Sequence, residues 1–365
     1  MKIVVLSSLA QDSGCYLRAR YMADALKPMA EVRFLKPLFR SLPFMADMLL
    51  SVPYNILRVL LSDGDVYIGI KPFPNVTLPL IIKKMLTGKK IVVDIDDLDS
   101  GYRKGWLSAV SHLVQKPFPA YFDLITYHNK RLEPYIQRTF SVNKDRLYRL
   151  KQGVDTSVFS PGSFDRKLRQ RFPEGNKIIV YTGHLNAASD LEEILRAMKL
   201  VFNRFNRKPV TFIVAGGGPD EDRFRNFARK TGVPAYFTGR ISHTRVASYI
   251  SIADICLVYY RDIPVNYYRS SMKLRECLAM NKQVITDNVG ELKQFKTYTY
   301  QTKPDIVAYA GKIIEILTGK TDQRENAGRD LVRRTCDWNS LGRQFYKRLD
   351  RLLQTSGKAE PPQPV

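Results

Sequence analysis

The sequence predicts an α/β protein made of two doubly wound domains, and three observations lead there. Short apolar runs of strand length alternate with segments of helical period. That alternation occurs twice, on either side of a polar, basic segment at 163–176 that holds Pro173 and Gly175 and reads as the boundary. A chain of 365 residues is long for one hydrophobic core and comfortable for two.

Composition narrows the class. At 44% hydrophobic and 11% aromatic residues the chain is not a disordered one. No run approaches ~18 uninterrupted apolar residues, so no spanning helix is expected. The sequence opens directly on a strand, without the pattern of a signal peptide, and a cytoplasmic protein is expected. Cys15, Cys256, Cys277 and Cys336 are widely spaced with no Cys-x-x-Cys, which argues against zinc and against a disulfide framework. The net charge of +23 attracts nucleic acid, anionic lipid or phosphorylated ligands. The basic residues are scattered and no nucleic-acid motif is present. The expected partner is therefore an anionic membrane surface and not nucleic acid.

In the first half, a strand at 2–7 runs through a loop at 8–15, which carries Gly14, into a helix at 16–26. A second strand follows at 31–35. The stretch 36–62 is rich in Leu, Phe and Met, with Lys36, Arg40 and Arg58 interspersed. It reads either as a core-facing helix pair broken by Pro43 and Pro53, or as an interfacial amphipathic segment. A strand at 65–69, a helix at 77–86 and a strand at 90–94 come next. The last of these ends in Asp94-Ile95-Asp96-Asp97-Leu98-Asp99. Strand ends of open α/β sheets are where ligands bind, which makes Asp96 and Asp97 candidate active-site carboxylates; helix capping by Asp97 or Asp99 is the alternative. Along 102–118, Leu107, Val110 and Val114 recur at helical spacing with Trp106, Arg103, Lys104 and Lys116 at the borders, the composition of an interface anchor. A strand at 122–126 then leads into a helix opened by residues 127–132, where His128 is a minor candidate.

The second half begins with a strand that runs from Lys177 into Gly183. A helix at 191–205, a strand at 210–215 and the turn Gly216-Gly217-Gly218-Pro219 follow. Then come a helix at 220–231, a strand at 235–237, a helix at 243–252 and a strand at 255–258. The stretch 267–287 carries the most chemistry. Ser270 or Ser271 can cap a helix whose Leu274 and Leu278 keep helical spacing; Asn281 ends it and a strand at 283–286 follows. A helix start offers free N–H groups and positive dipole charge to a phosphate. Lys273 lies in that first turn and Glu276 three residues on, so one helix face offers a cation for a diphosphate and a carboxylate for vicinal ribose hydroxyls. A solvated surface pair is the alternative. Helices at 307–317, 322–334 and 336–355 close the chain before a tail at 356–365 that is expected to be disordered.

Several stretches together resemble glycosyltransferase family 4, the retaining enzymes of GT-B fold. Ser271-x-Lys273-Leu274-x-Glu276-x-Leu278-Ala279, a turn, then a strand ending in Thr286-Asp287 is similar to the family's donor-binding motif. Gly153-Val154-Asp155 with Phe159 and Pro161 resembles its segment leading to the linker, and Tyr236-Phe237-Thr238-Gly239-Arg240 its segment beside the nucleotide base. The resemblance implies two Rossmann-like domains facing across a cleft: an acceptor-side domain at 1–162, a donor domain at 163–335, and a helix at 336–355 crossing back. It implies retaining transfer from a nucleotide sugar with no cofactor and no obligate metal. Lys273 would stabilise the departing diphosphate with Arg240 and the amides of Ser271 and Met272, while Glu276 holds the ribose. Gly14, Gly183, His184 and Leu274 complete the implied donor site, and Asp96 and Asp97 stand beside the reacting sugar. Charge and the two amphipathic segments suggest a glycan or lipid-linked acceptor of envelope or exopolysaccharide synthesis.

The chain departs from that pattern in places. His184 replaces the usual Arg, residues 187–190 (Ala-Ala-Ser-Asp) lack the usual Lys, and Tyr268 stands where the family often has a first Glu. These departures support an alternative, a catalytically impaired GT-B protein that binds nucleotide or serves as a partner subunit in a glycan assembly complex. An epimerase of related fold and a basic nucleic-acid binder are further rivals.

Overall fold

The two alternations fold into two parallel sheets. The computed structural model describes residues 1–8, 13–37, 44–96, 118–205, 210–320 and 327–354. Asp97, most of the 102–118 segment, part of 36–62 and the 356–365 tail lie outside the described residues. The chain divides into one unit of Met1–Gly153 with Trp338–Val365 and a second of Val154–Asp337.

In the first unit β1 (Lys2–Ser7), β2 (Glu31–Leu35), β3 (Val66–Ile70), β4 (Lys90–Ile95), β5 (Leu124–Tyr127) and β6 (Leu147–Arg149) lie in the order β2-β1-β3-β4-β5-β6. Every pairing is parallel, with Val4 set between Arg33 and Tyr67. Helices cover both faces of such a sheet, which is why its central strands are unbroken apolar runs; β3 is buried at every residue. The order reverses between β1 and β3, and there the sheet's switch point lies.

The second unit repeats the plan. Here β7 (Lys177–Thr182), β8 (Val210–Ala215), β9 (Ala235–Phe237), β10 (Ile255–Val258), β11 (Gln283–Asp287) and β12 (Tyr300–Thr302) are ordered β12-β11-β10-β7-β8-β9. All are parallel, Leu257 pairing with both Tyr181 and Ile285. Its switch point is β7/β10. Apolar clusters fill both faces, one around Val180, Cys256 and Leu274 and the other around Tyr181, Leu257 and Tyr309.

Four differences from the sequence reading have plain causes. The edge strands β6 and β12 are unanticipated, because three residues are too few to display a period. Pro53 does not break the 36–62 stretch: Phe44–Leu60 is one helix with Pro53 inside it. Its packing on the Pro74–Thr87 helix outweighs the lost backbone bond, and Asn55 Nδ2 donates to the Asn75 carbonyl at 2.8 Å across that contact. The Pro74–Thr87 helix starts earlier than the periodicity suggests because Pro74 occupies its first turn. The unit boundary falls at Gly153 and not at residue 162, since Val154 N already donates to the Cys336 carbonyl at 2.9 Å and Phe159 is buried in the second core. The Trp338–Gln354 helix belongs to the first unit, burying Trp338, Leu341, Phe345 and Leu349 against Ile3, Met22 and Leu26.

Candidate functional site

Open α/β sheets bind ligands at the carboxyl ends of their strands, at the switch point. In the second unit that is where β7 runs into Gly183 and β10 into Tyr259 and Tyr260. The Met272–Ala279 helix begins beside it. Ser271 is the N-cap, in extended backbone, and its Oγ accepts from Leu274 N at 3.1 Å. A buried pair fixes this helix start: Arg275 is ion-paired with Glu291 and donates to the Ser271 carbonyl at 2.8 Å, while Ser271 N donates to Glu291 Oε2 at 3.1 Å.

These bonds change the expected donor set. The Ser271 amide is committed to Glu291 and the Leu274 amide to the cap. The Leu274 side chain is fully buried in the core, so Leu274 is a packing residue and not a ligand contact. The first-turn amides of Met272 and Lys273 have no acceptor within the helix and are what its N-terminus can offer.

Lys273 turns its Nζ onto Tyr181, 4.2 Å from the ring centroid and 3.1 Å from Oη. It also covers Gly183, where an added Cβ would stand 3.0 Å from Nζ. Among the described residues no carboxylate lies within ion-pair distance of Lys273. Glu276, one turn on, is 3% exposed, and its Oε1 meets His243 Nε2 at 2.7 Å. The His243 ring rests against Phe159 at 5.1 Å. His243 was not singled out by sequence; its only signal was its place directly after Ser242, which caps the His243–Ser251 helix.

The glycine triplet is explained by packing. Gly216 has φ +133, and a Cβ there would fall 2.1 Å from the Gly183 carbonyl oxygen. Exposed His184 follows Gly183, and exposed Arg240 follows the Gly216–Gly239 bridge, so both flank this turn.

The remaining candidates lie in the first unit. Gly14 opens the Gly14–Leu26 helix, exposed, with open space where a Cβ would be. Asp96, just past β4, is buried and paired with Lys71 Nζ at 3.2 Å. Buried His128 follows β5. Among the described residues no group of His, Cys, Asp and Glu is placed to hold a metal ion.

Residues 176–319 match the family model described as Glycosyl transferases group 1. The chain is 24% identical over 256 residues to a putative teichuronic acid biosynthesis glycosyltransferase, TuaH, of Bacillus subtilis, covering 67% of this chain and 60% of that protein. It is 21% identical over 229 residues to an uncharacterized glycosyltransferase, MJ1607, of Methanocaldococcus jannaschii, covering 59% and 57%. The chain thus spans about 60% of the length of the curated relatives it matches. Among solved structures, sucrose-phosphate synthase from Thermosynechococcus elongatus superposes with a TM-score of 0.79 at 16% identity over 97% of this chain and all (100%) of that one. Anabaena HepE, solved in complex with UDP and glucose, gives 0.72 at 14% identity over 96% and 100%. The fold is GT-B.

Proposed function

We propose, from a chain whose second unit carries a group 1 glycosyl transferase domain, a glycosyltransferase that takes a sugar from a nucleotide-sugar donor with retention of configuration and no obligate metal. The observation that carries this reading is the pairing of roles on one helix face. Lys273 is held by an aromatic ring and a hydroxyl, not by a carboxylate, so its charge remains available to a diphosphate. Glu276, buried and oriented by His243, presents a carboxylate one turn away for ribose hydroxyls. Electrostatic stabilisation of the leaving diphosphate is the main catalytic term such a site supplies. Asp96 is the acceptor-side carboxylate in this proposal.

Binding of UDP, GDP, ADP and CMP, measured calorimetrically without metal, tests the donor site. One nucleotide should bind, and Glu276→Ala should weaken it ~10-fold or more, about 1.4 kcal/mol. If none binds, the donor reading fails and the inactive-partner alternative takes its place.

We further propose a glycan or lipid-linked acceptor of envelope polysaccharide synthesis, met at the inner face of an anionic membrane. Among the described residues no helix is long and apolar enough to cross a membrane. Support for surface contact comes from Leu50, Leu57 and Leu61, all more than half exposed, with Met85 and Leu86 exposed on the neighbouring helix. Vesicle flotation with and without phosphatidylglycerol tests it. Wild type should float with the anionic vesicles and the Leu57→Glu/Leu61→Glu variant should not; equal behaviour would reject the contact.

A further inference from the structure

The second unit's switch point holds another cation that its sequence position does not advertise. Arg269 lies between the Pro264–Tyr267 turn and the Ser271 cap. Its guanidinium stacks on Tyr260, 4.5 Å from the ring centroid, just past the end of β10. Its Nη1 donates to the Ala188 carbonyl at 3.3 Å, in the loop that leaves β7, and to Asn266 Oδ1 at 3.0 Å. Arg269 therefore bridges the two strand ends between which the sheet order reverses. Lys273 covers Gly183 at the start of the same loop. The two cations stand along one backbone segment, 183–188, the stretch where the sequence carries no Arg or Lys of its own.

The nearby carboxylate is shared between two arginines. Asp190 is engaged first by Arg261, through Nε at 2.5 Å and the backbone N at 3.3 Å, and by Asn266 Nδ2 at 3.4 Å. Arg269 stands at 3.9 Å from it, the edge of ion-pair range, with 21% of its side chain exposed. Stacked and doubly anchored, its planar fork is preorganised for an oxyanion.

We propose that Arg269 is a second anion-binding residue of the donor crevice, pairing with an oxyanion of the ligand beyond the one that Lys273 meets. The oxyanion is supplied by the second phosphate of the nucleotide or by a carboxylate on its sugar. The proposal rests on the donor-site reading above.

The test is calorimetry of UMP, UDP, UDP-glucose and UDP-glucuronate with wild type, Arg269→Gln and Arg269→Lys, alongside Glu276→Ala. Arg269→Gln should lose ~10-fold or more toward the ligand that brings the second oxyanion, and Arg269→Lys should recover part of it, with melting temperatures unchanged. Loss of discrimination between UMP and UDP assigns the second phosphate. Loss confined to UDP-glucuronate assigns a sugar carboxylate. Four affinities unaltered in Arg269→Gln, while Glu276→Ala still weakens binding, would overturn this inference alone. No affinity of wild type for any of the four, nor for GDP, ADP or CMP, would overturn it together with the donor reading.

Discussion

The two switch points are built on one plan and furnished in opposite ways. In the first unit the buried cations Arg18 and Lys71 are each met by a carboxylate. Arg18 clasps Asp94 through Nε at 2.6 Å and Nη2 at 2.9 Å, both side chains almost fully buried, and Thr126 Oγ1 and the Leu150 carbonyl complete the set. Lys71, in left-handed backbone at φ +70, reaches Asp96. Cys15, in the first turn of the Gly14–Leu26 helix, sits over the ends of β1 and β3, its Sγ 3.7 Å from Ser7 Oγ and 4.0 Å from the Ile70 carbonyl. Burial pushes its thiol up to about 12, with the Asp96 charge adding to the effect, so it stays protonated at neutral pH. The second unit instead holds Lys273 with a ring and a hydroxyl, and Arg269 with a ring, two carbonyl oxygens and a share of the Asp190 carboxylate. Internal neutralisation makes a rigid floor. A cation held by neutral partners, as Lys273 is, keeps its charge for an anion.

The largest effect that separates the two is in stability. Asp94→Ala leaves a buried guanidinium without its carboxylate and should cost about 3–5 kcal/mol, read from the urea midpoint of the first unit's unfolding. A loss below about 1 kcal/mol would mean that the pair is not the floor described. A smaller effect sharpens the functional side of the comparison. Lys273→Met should weaken nucleotide binding ~10-fold, about 1.4 kcal/mol, whereas Lys71→Met should leave nucleotide affinity where it was. Equal losses in the two variants would erase the distinction between the crevices.

Much of this was legible in the sequence, for physical reasons that also mark where legibility ends. Buried parallel strands must be apolar on both faces, so β3 and β10 stand out as runs, and two sets of them make two sheets. Lys273 and Glu276 were readable as a pair because helix geometry alone puts them on adjoining positions. Leu274 shares the motif, but one residue of helical turn carries its side chain into the core. His243 reaches Glu276 across 33 residues and Arg18 reaches Asp94 across 76, contacts that no local period encodes. Arg18 is a buried anchor, a role that its own helix does not encode. Arg269 escaped notice for the same reason: its meaning lies in the Ala188 carbonyl and the Tyr260 ring, not in its neighbours along the chain.

The return of the Trp338–Gln354 helix has a consequence for how the protein is made. A ribosome delivers the chain from its amino end, and the first unit's core lacks Trp338, Leu341, Phe345 and Leu349 until the whole of the second unit has emerged. The second unit is continuous in sequence and can complete itself first. Until that helix arrives, Ile3, Met22 and Leu26 lack the side chains that cover them in the folded first unit.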